Sequence, residues 1–419
     1  MLAENSRSSF EQDYDRIIFS HPFRRLQDKT QVHPLPEDDF VHTRLTHSLE
    51  VSSVGRSLGK RAGEVLLQRH EALRQNFSLF DVGAVVAAAA LAHDLGNPPF
   101  GHAGEDALSD YFRKRHEMQE GVSPSQWQDL IAFEGNAQGF RILNQSGLGL
   151  KLTLATLGAF TKYPCPSHFP NRNPTRKSQK KYGFFDSERT IFSEVASGLQ
   201  LIPIEEAWSR HPLAFLVEAA DDICYSIIDL EDGCNLGLIP LEETVELLAP
   251  ILGEKLDRDK LKKSDSLARK LGTLRALAIG ELIDDCTQVF LDNESGILNG
   301  SFDGALTDLG RYREPLKEIS RHSVDRIYRA RHVVEIEAAG HEVLPGLLDE
   351  FIMAARVLRS GEKSRKYQNL ALLLAPELRG PIRDAHDTYT LYRLVIDFVS
   401  GLTDKHALNL YRKIKGMSL

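Results

Sequence analysis

Apolar residues recur along most of the chain with the period of an α-helix, and strand-like alternation is scarce. Residues 42–70 carry apolar positions at helical spacing. Residues 81–95, DVGAVVAAAALAHDL, form an almost wholly apolar run. Its length and alanine content predict a buried helix rather than a strand. The same period predicts helices over 126–145, 211–232, 264–290, about 312–340, about 344–360 and 385–415. Two stretches break the pattern. YPCPSHFPNRNPTRKSQKKYGFFDS (163–187) is rich in proline, asparagine and basic residues, which predicts an irregular insertion. It reads either as a solvated excursion or as a cationic flap over an anionic ligand. LDNESGILNGSFDG (291–304) reads as a plain connector. No repeat and no long linker is visible. The expectation is an all-α protein, one large helical domain over 1–419, with a core at about 42–232 and a helical extension at about 233–419.

Composition narrows the classes. The chain has 419 residues, 42% hydrophobic and 26% charged, enough to bury a sizeable core and too apolar for dominant disorder. A net charge of −8 weighs against a protein that works by coating nucleic acid. No apolar run reaches the ~18–20 residues of a membrane span. The segment MLAENSRSSFEQ lacks the apolar centre of a secretory signal. Cys165, Cys224, Cys234 and Cys286 form no C-x-x-C pair. Neither a disulfide framework nor a structural zinc site is expected, and a reducing cytoplasm is the simplest compartment.

Chemistry enters where costly polar residues sit on apolar stripes. His47, Val51, Val54 and Leu58 share one helical face, and Val217, Asp221, Cys224 and Ile228 share another. Between them the alanine-rich helix ends in His93-Asp94, followed by Gly96-Asn97-Pro98-Pro99. An ionised carboxylate is not buried without partners. Two imidazoles and two carboxylates converging from three helices would satisfy one another around a divalent ion, and the mixed N/O set suits Mn, Fe, Co, Ni or Zn, and Mg less well. The competing reading is a set of satisfied core residues. His102 and Glu105, three apart in PPFGHAGEDAL, share a face if a helix restarts there, and can then hydrogen-bond as an acid/base pair. Asp221, Tyr225 and Asp229 step by four, so Tyr225 is placed to meet a sugar and Asp229 to accept from a hydroxyl. Asp222 and Glu231 are expected to face solvent. FRRLQDKTQV (23–32) gathers Arg24, Arg25, Lys29 and Gln31 ahead of Arg44, which precedes His47 by one turn. Cations beside a metal point to a polyanion, best a phosphate.

The H…HD…D order of His47, His93-Asp94 and Asp221 resembles the HD superfamily of metal-dependent phosphohydrolases. RIIFSHPFRRLQDKTQV, TRLTHSLEV, AHDLGNPPFGHAGE, FEGNAQGFRIL, LGAFTKYP, EAADDICYSIIDLEDG and LVIDFVSGLTDKHALNLY are similar to consecutive blocks of bacterial deoxyguanosine triphosphate triphosphohydrolases, or dGTPases. The resemblance spans nearly the whole chain. It implies an HD-type helical bundle that hydrolyses dGTP, and possibly further dNTPs, to deoxynucleoside and inorganic tripolyphosphate with Mg²⁺, Mn²⁺ or Co²⁺. It places metal ligands at His47, His93, Asp94 and Asp221, and acid/base residues at His102 and Glu105. Substrate contacts fall on Gln31, Arg44, Lys162, Tyr163, Lys181, Tyr225 and Asp229, and Tyr328 resembles a substrate-side tyrosine. Asn97 and Gly135 stand where many relatives of this kind carry histidines, a departure that resembles the enterobacterial branch. The resemblance also implies a homo-oligomer, with a hexamer as the first expectation, and single-stranded DNA as a further partner. An HD phosphodiesterase or nucleotidase, or a non-enzymatic nucleotide or single-strand DNA binder, are the alternatives.

Overall fold

The computed structural model describes residues 7–31, 42–173 and 175–417, without the side chain of Ser146. Part of the segment read above as lacking a secretory signal, Val32 of the basic block and Pro174 of the insertion lie outside the described residues. The described chain is all-α, as the periodicity predicts. Its one ladder pairs Pro203–Ile204 with Ala207–Trp208, antiparallel. No helix of the described residues is long and apolar enough to cross a membrane.

The helices that place the site are α1 (Arg44–Arg69), α2 (Leu79–Ala92), α3 (Gly101–Arg113), α4 (Gly135–Leu143), α5 (Leu154–Phe160), α6 (Ala214–Asn235), α7 (Leu267–Asp292), α8 (Arg331–Ser360), α9 (Thr388–Ser400) and α10 (Asp404–Ile414). Thr43 caps α1 in a reciprocal capping box with Thr46, and Ser78 caps α2 in the same way with Asp81. These caps fix where the histidine-bearing faces begin. Helices α1 and α2 then approach closely because Gly55, Gly59 and Gly63 form a smooth stripe on α1. A Cβ at Gly59 would stand 3.0 Å from both Gly83 Cα and Val82 O. The contact holds the His47 end of α1 beside the His93 end of α2.

Two apolar cores interleave along the sequence. The first joins Val51, Val54 and Leu58 of α1, nearly all of α2, Ile223 and Ile227 of α6, and Leu282 and Phe290 of α7. The second joins Leu108 and Phe112 of α3, Trp127, Phe351 of α8, and Tyr392 and Val395 of α9. Arg141 of α4 bridges them, donating to Asp397 at 2.8 and 3.0 Å and to Glu188 at 2.6 Å.

Several predicted boundaries shift. The helix expected over 126–145 is two, Pro124–Ile131 and α4, because Glu134 is extended and caps α4. The helices expected near 312–340 and 344–360 are instead Arg313–Ser323, a π-helical turn Val324–Tyr328, and α8, which runs through Pro345 without a break. The segment 385–415 divides into α9 and α10 where Thr403 caps the second. The plain connector contains a short helix, Glu294–Leu298.

Candidate active site

A cavity of about 650 Å³ opens between the two cores. Among the predicted site residues, Gln31, Arg44, His47, His93, Asp94, His102, Glu105, Lys162, Tyr163, Lys181, Asp221 and Tyr225 all line it. Asp229 does not.

His47 from α1, His93 from the end of α2 and Asp221 from α6 present ligand-type atoms within 4.8 Å of one another. His47 Nε2 lies 3.3 Å from Asp221 Oδ1, and His93 Nε2 lies 3.5 Å from the same oxygen. The His93 Nδ1–H must donate to Ala90 O, 2.7 Å away, since a carbonyl only accepts. That fixes the tautomer and leaves Nε2 as a lone-pair donor, buried and without a hydrogen-bond partner. His47 Nδ1 is likewise buried and unmet. The orphaned His93 Nε2 beside the Asp221 carboxylate, with His47 Nε2 facing the same oxygen, fits a divalent cation. Burial alone would raise the Asp221 carboxyl, but the positive fields of His93 and His47 hold it well below the usual range. Asp94 stands 3.5 Å from His93 Nε2 through Oδ1. Its Oδ2 accepts from Arg44 Nη1 at 2.8 Å and its Oδ1 from Asn97 Nδ2 at 2.5 Å. The described cluster of close ligand atoms is therefore His47, His93 and Asp221, with Asp94 at its edge tying Arg44 to it.

His102 and Glu105 lie on α3 as predicted, but no hydrogen bond joins them among the described residues. Glu105 Oε1 accepts from the Gly135 N–H at 2.7 Å, and its Oε2 is 3.8 Å from Lys181 Nζ. Burial, with Glu134 as the nearest like charge, pushes the Glu105 carboxyl up to about 7. His102 faces the cavity, and burial with the fields of Lys181 and Arg44 lowers its pKa. A Cβ at Gly135 would lie 2.4 Å from Asn97 Oδ1 and 2.8 Å from Glu105 Oε1. A side chain at position 135 thus has no room while Asn97 and Glu105 keep their places.

The basic insertion supplies Lys180 and Lys181 to the cavity. Its other cations anchor it. Arg176 pairs with Asp303, Lys177 with Asp308, and Arg172 donates to Pro166 O and Ser167 O. Lys180 and Lys181 thus face the cavity, whereas the other described cations of the loop tie it to neighbouring structure. Lys162 lies 3.4 Å from Glu218, whose carboxylate also accepts from Arg210 at 2.6 Å. Of the described residues of the basic block before α1, Thr30 and Gln31 line the cavity, whereas Arg24, Arg25 and Lys29 do not. Arg25 donates to Gly401 O, and the buried Lys29 donates to Asn97 O and Ser400 O.

Three side chains of α6 depart from prediction. Asp229 is 2% exposed and accepts from the Tyr328 hydroxyl at 2.6 Å. Burial pushes its carboxyl up to about 7. It cannot meet a ligand hydroxyl, because Tyr328 stands in front of it. Tyr328 instead lines the cavity and stacks on Tyr225, ring centroids 5.5 Å apart at 29°. Asp222 also lines the cavity, accepts from Thr307 Oγ1 at 2.8 Å, and is raised by burial to about 6. Glu231 is buried and paired with Arg275 at 2.8 Å. Sequence reasoning also missed Glu134, Lys180, Glu218 and Glu337 in the wall. The first three lie within quoted segments, whereas Glu337 carries no local signal.

Comparisons with known proteins agree with this geometry. The profile of the HD domain matches residues 44–125, and that of a phosphohydrolase-associated domain matches 310–413. A Synechocystis protein named deoxyguanosinetriphosphate triphosphohydrolase-like is 44% identical, over 99% of this chain and 95% of its own. A Pseudomonas aeruginosa protein of the same name is 39% identical, over 99% and 95%. A Yersinia pestis protein named deoxyguanosinetriphosphate triphosphohydrolase is 31% identical, over 97% and 93%.

Proposed function

The chain belongs to the deoxyguanosinetriphosphate triphosphohydrolase-like family of HD-domain proteins, and from that premise we propose that it hydrolyses dGTP, and other dNTPs, to deoxynucleoside and inorganic tripolyphosphate. One observation carries the reading. A single cavity joins the His47–His93–Asp221 cluster to Arg44, Lys162, Lys180 and Lys181, and faces them with a stacked pair of tyrosines. Its volume suits a nucleotide.

His47, His93 and Asp221, with Asp94 beside them, would hold a divalent ion, which would supply Lewis-acid polarisation and a more acidic water. The remaining work falls to side chains of this chain. Arg44 and the lysines offset the charge of the triphosphate, and act more strongly in the partly buried cavity than they would in bulk water. Desolvation and the fields of Lys181 and Arg44 disfavour protonation of His102 in the free protein. A triphosphate bound among those cations offsets their fields and favours proton uptake by His102. His102 then donates that proton to the 5′ oxygen as its bond to the α-phosphorus breaks, while the water oxygen bonds to phosphorus and releases one of its protons to solvent. Glu105 acts through Lys181 and the Gly135 N–H rather than by holding the imidazole. The Tyr225–Tyr328 wall, braced by Asp229, is the part of the cavity assigned to rejecting a ribose 2′-hydroxyl.

The test is a panel of the four dNTPs and GTP, each with Mg²⁺, Mn²⁺ or Co²⁺, with products separated by ion exchange. Deoxyguanosine with tripolyphosphate, and no turnover of GTP, supports the reading. Orthophosphate as the first product assigns the site to a phosphodiesterase or nucleotidase. Equal turnover of GTP and dGTP removes the tyrosine wall from the account.

A further inference from the structure

We infer that Asp404, the first residue of α10, is a positioning residue that aims His102 into the cavity from the carboxyl-terminal end of the chain. This rests on the reading of His102 as the proton donor. The Asp404 side chain is 1% exposed and touches two segments that flank the site. Its Oδ1 accepts from the Phe100 N–H at 3.1 Å. Its Oδ2 accepts from the Thr30 N–H at 3.0 Å and from the Thr30 hydroxyl.

Both clamped segments carry strain or register that the carboxylate explains. Phe100 is left-handed, with φ of 65°, a conformation that a residue with a Cβ adopts at a cost. It is immediately followed by Gly101, also left-handed, and then by His102 in the first turn of α3. Phe100 has no side-chain cap to offer α3, so the start of that helix is fixed through its backbone. The Asp404 hydrogen bond to the Phe100 N–H holds the turn. On the other side, Thr30 bridges Thr43, the cap of α1, and leads directly to Gln31 in the cavity wall. One buried carboxylate therefore sets the distance between the α3 start and the Thr30–Gln31 strand. Lys29 reinforces the clamp, joining Asn97 O to Ser400 O at the end of α9. Displacement of a reacting group by about 1 Å lowers turnover by roughly 10²-fold. Loss of the clamp is expected to act through that displacement.

The experiment is a double-mutant cycle on the full chain, reading kcat and KM for dGTP and the affinity for Mn²⁺ alone. Asp404→Ala and the milder Asp404→Asn are each made in the wild-type and in the His102→Ala background. Asn retains one acceptor and the helix start, so it guards against a variant that fails to fold. The expected result is a fall in kcat of about 10-fold or more in the wild-type background, with unchanged Mn²⁺ affinity and little change in KM. In the His102→Ala background the same substitution should leave kcat within about twofold. An equal fall in both backgrounds, or no fall in the first, overturns the inference while leaving His102 in its role. Wild-type turnover by His102→Ala alone overturns both.

Discussion

At His93 one backbone contact decides the chemistry of a ring. Because Ala90 O takes the Nδ1 proton, Nε2 faces the cluster as a lone pair, and the first core holds it there. His102 has the opposite setting, at the cavity face with cations on two sides. His102→Ala is expected to lower kcat by about 10²–10⁴-fold, with the metal content per chain unchanged. A pH profile checks the proton. In the free protein the His102 pKa lies below its ordinary value, so kcat/KM should fall as pH rises through that lowered value. In the complex the triphosphate offsets Lys181 and Arg44, so the matching limb of kcat should lie at higher pH. Coincident limbs would remove the proton-uptake step. Removing the Tyr328 hydroxyl bares a buried carboxylate, so Tyr328→Phe should cost about 1–3 kcal/mol in urea unfolding as well as loosening the stack on Tyr225. The residues that gather round the cavity were legible because costly polar groups on apolar stripes demand a reason. Asp229 misled because stepping by four gives a face but not a depth. The phenol that covers it comes from a segment 99 residues away.

At the scale of elements, glycine spacing does more than the hydrophobic period shows. Gly59 lets α1 and α2 touch, and Gly135 lets α4 begin against Asn97 and Glu105. Gly135→Ala should therefore cost about 1–3 kcal/mol of stability by overpacking, read by denaturant unfolding, and should lower kcat by shifting Glu105. Adding Asn97→Ala removes the 2.4 Å contact, so the double variant should recover part of the stability. Strict additivity would contradict the contact. Positions 97 and 135 are thus coupled, because Asn97 occupies the space that a side chain at 135 would need. Long amphipathic helices such as α1, α6 and α7 were legible from their period. The breaks were not. Glu134 leaves the helical conformation to cap α4, and Pro345 is accommodated inside α8. Both outcomes depend on tertiary partners, which override local preference.

The described molecule is two apolar cores with the candidate-site cavity between them. The metal-type cluster belongs to the first core, whereas α3, which carries His102, packs in the second. Ties across the seam should matter beyond their local energy, and His42 is a titratable tie within the first core. Burial lowers its pKa, but hydrogen bonds with Asp232 of α6 and Glu50 of α1 outweigh that and raise it to about 10. The folded pKa lies above the unfolded value, so this stabilisation is full below pH 6.5 and is lost as pH rises through about 10. Urea unfolding across that window should show declining stability, and His42→Ala should flatten the decline. An unchanged slope would place the ionisation elsewhere. The interleaving of the cores was illegible in sequence, because no linker or composition shift marks where helices change partners. The central claim is that water attacks the α-phosphorus and releases the intact triphosphate chain. It is tested most directly by turnover of dGTP in water enriched in heavy oxygen, followed by mass spectrometry. The account predicts one heavy oxygen in tripolyphosphate and none in deoxyguanosine. Heavy oxygen in orthophosphate or in deoxyguanosine would contradict it.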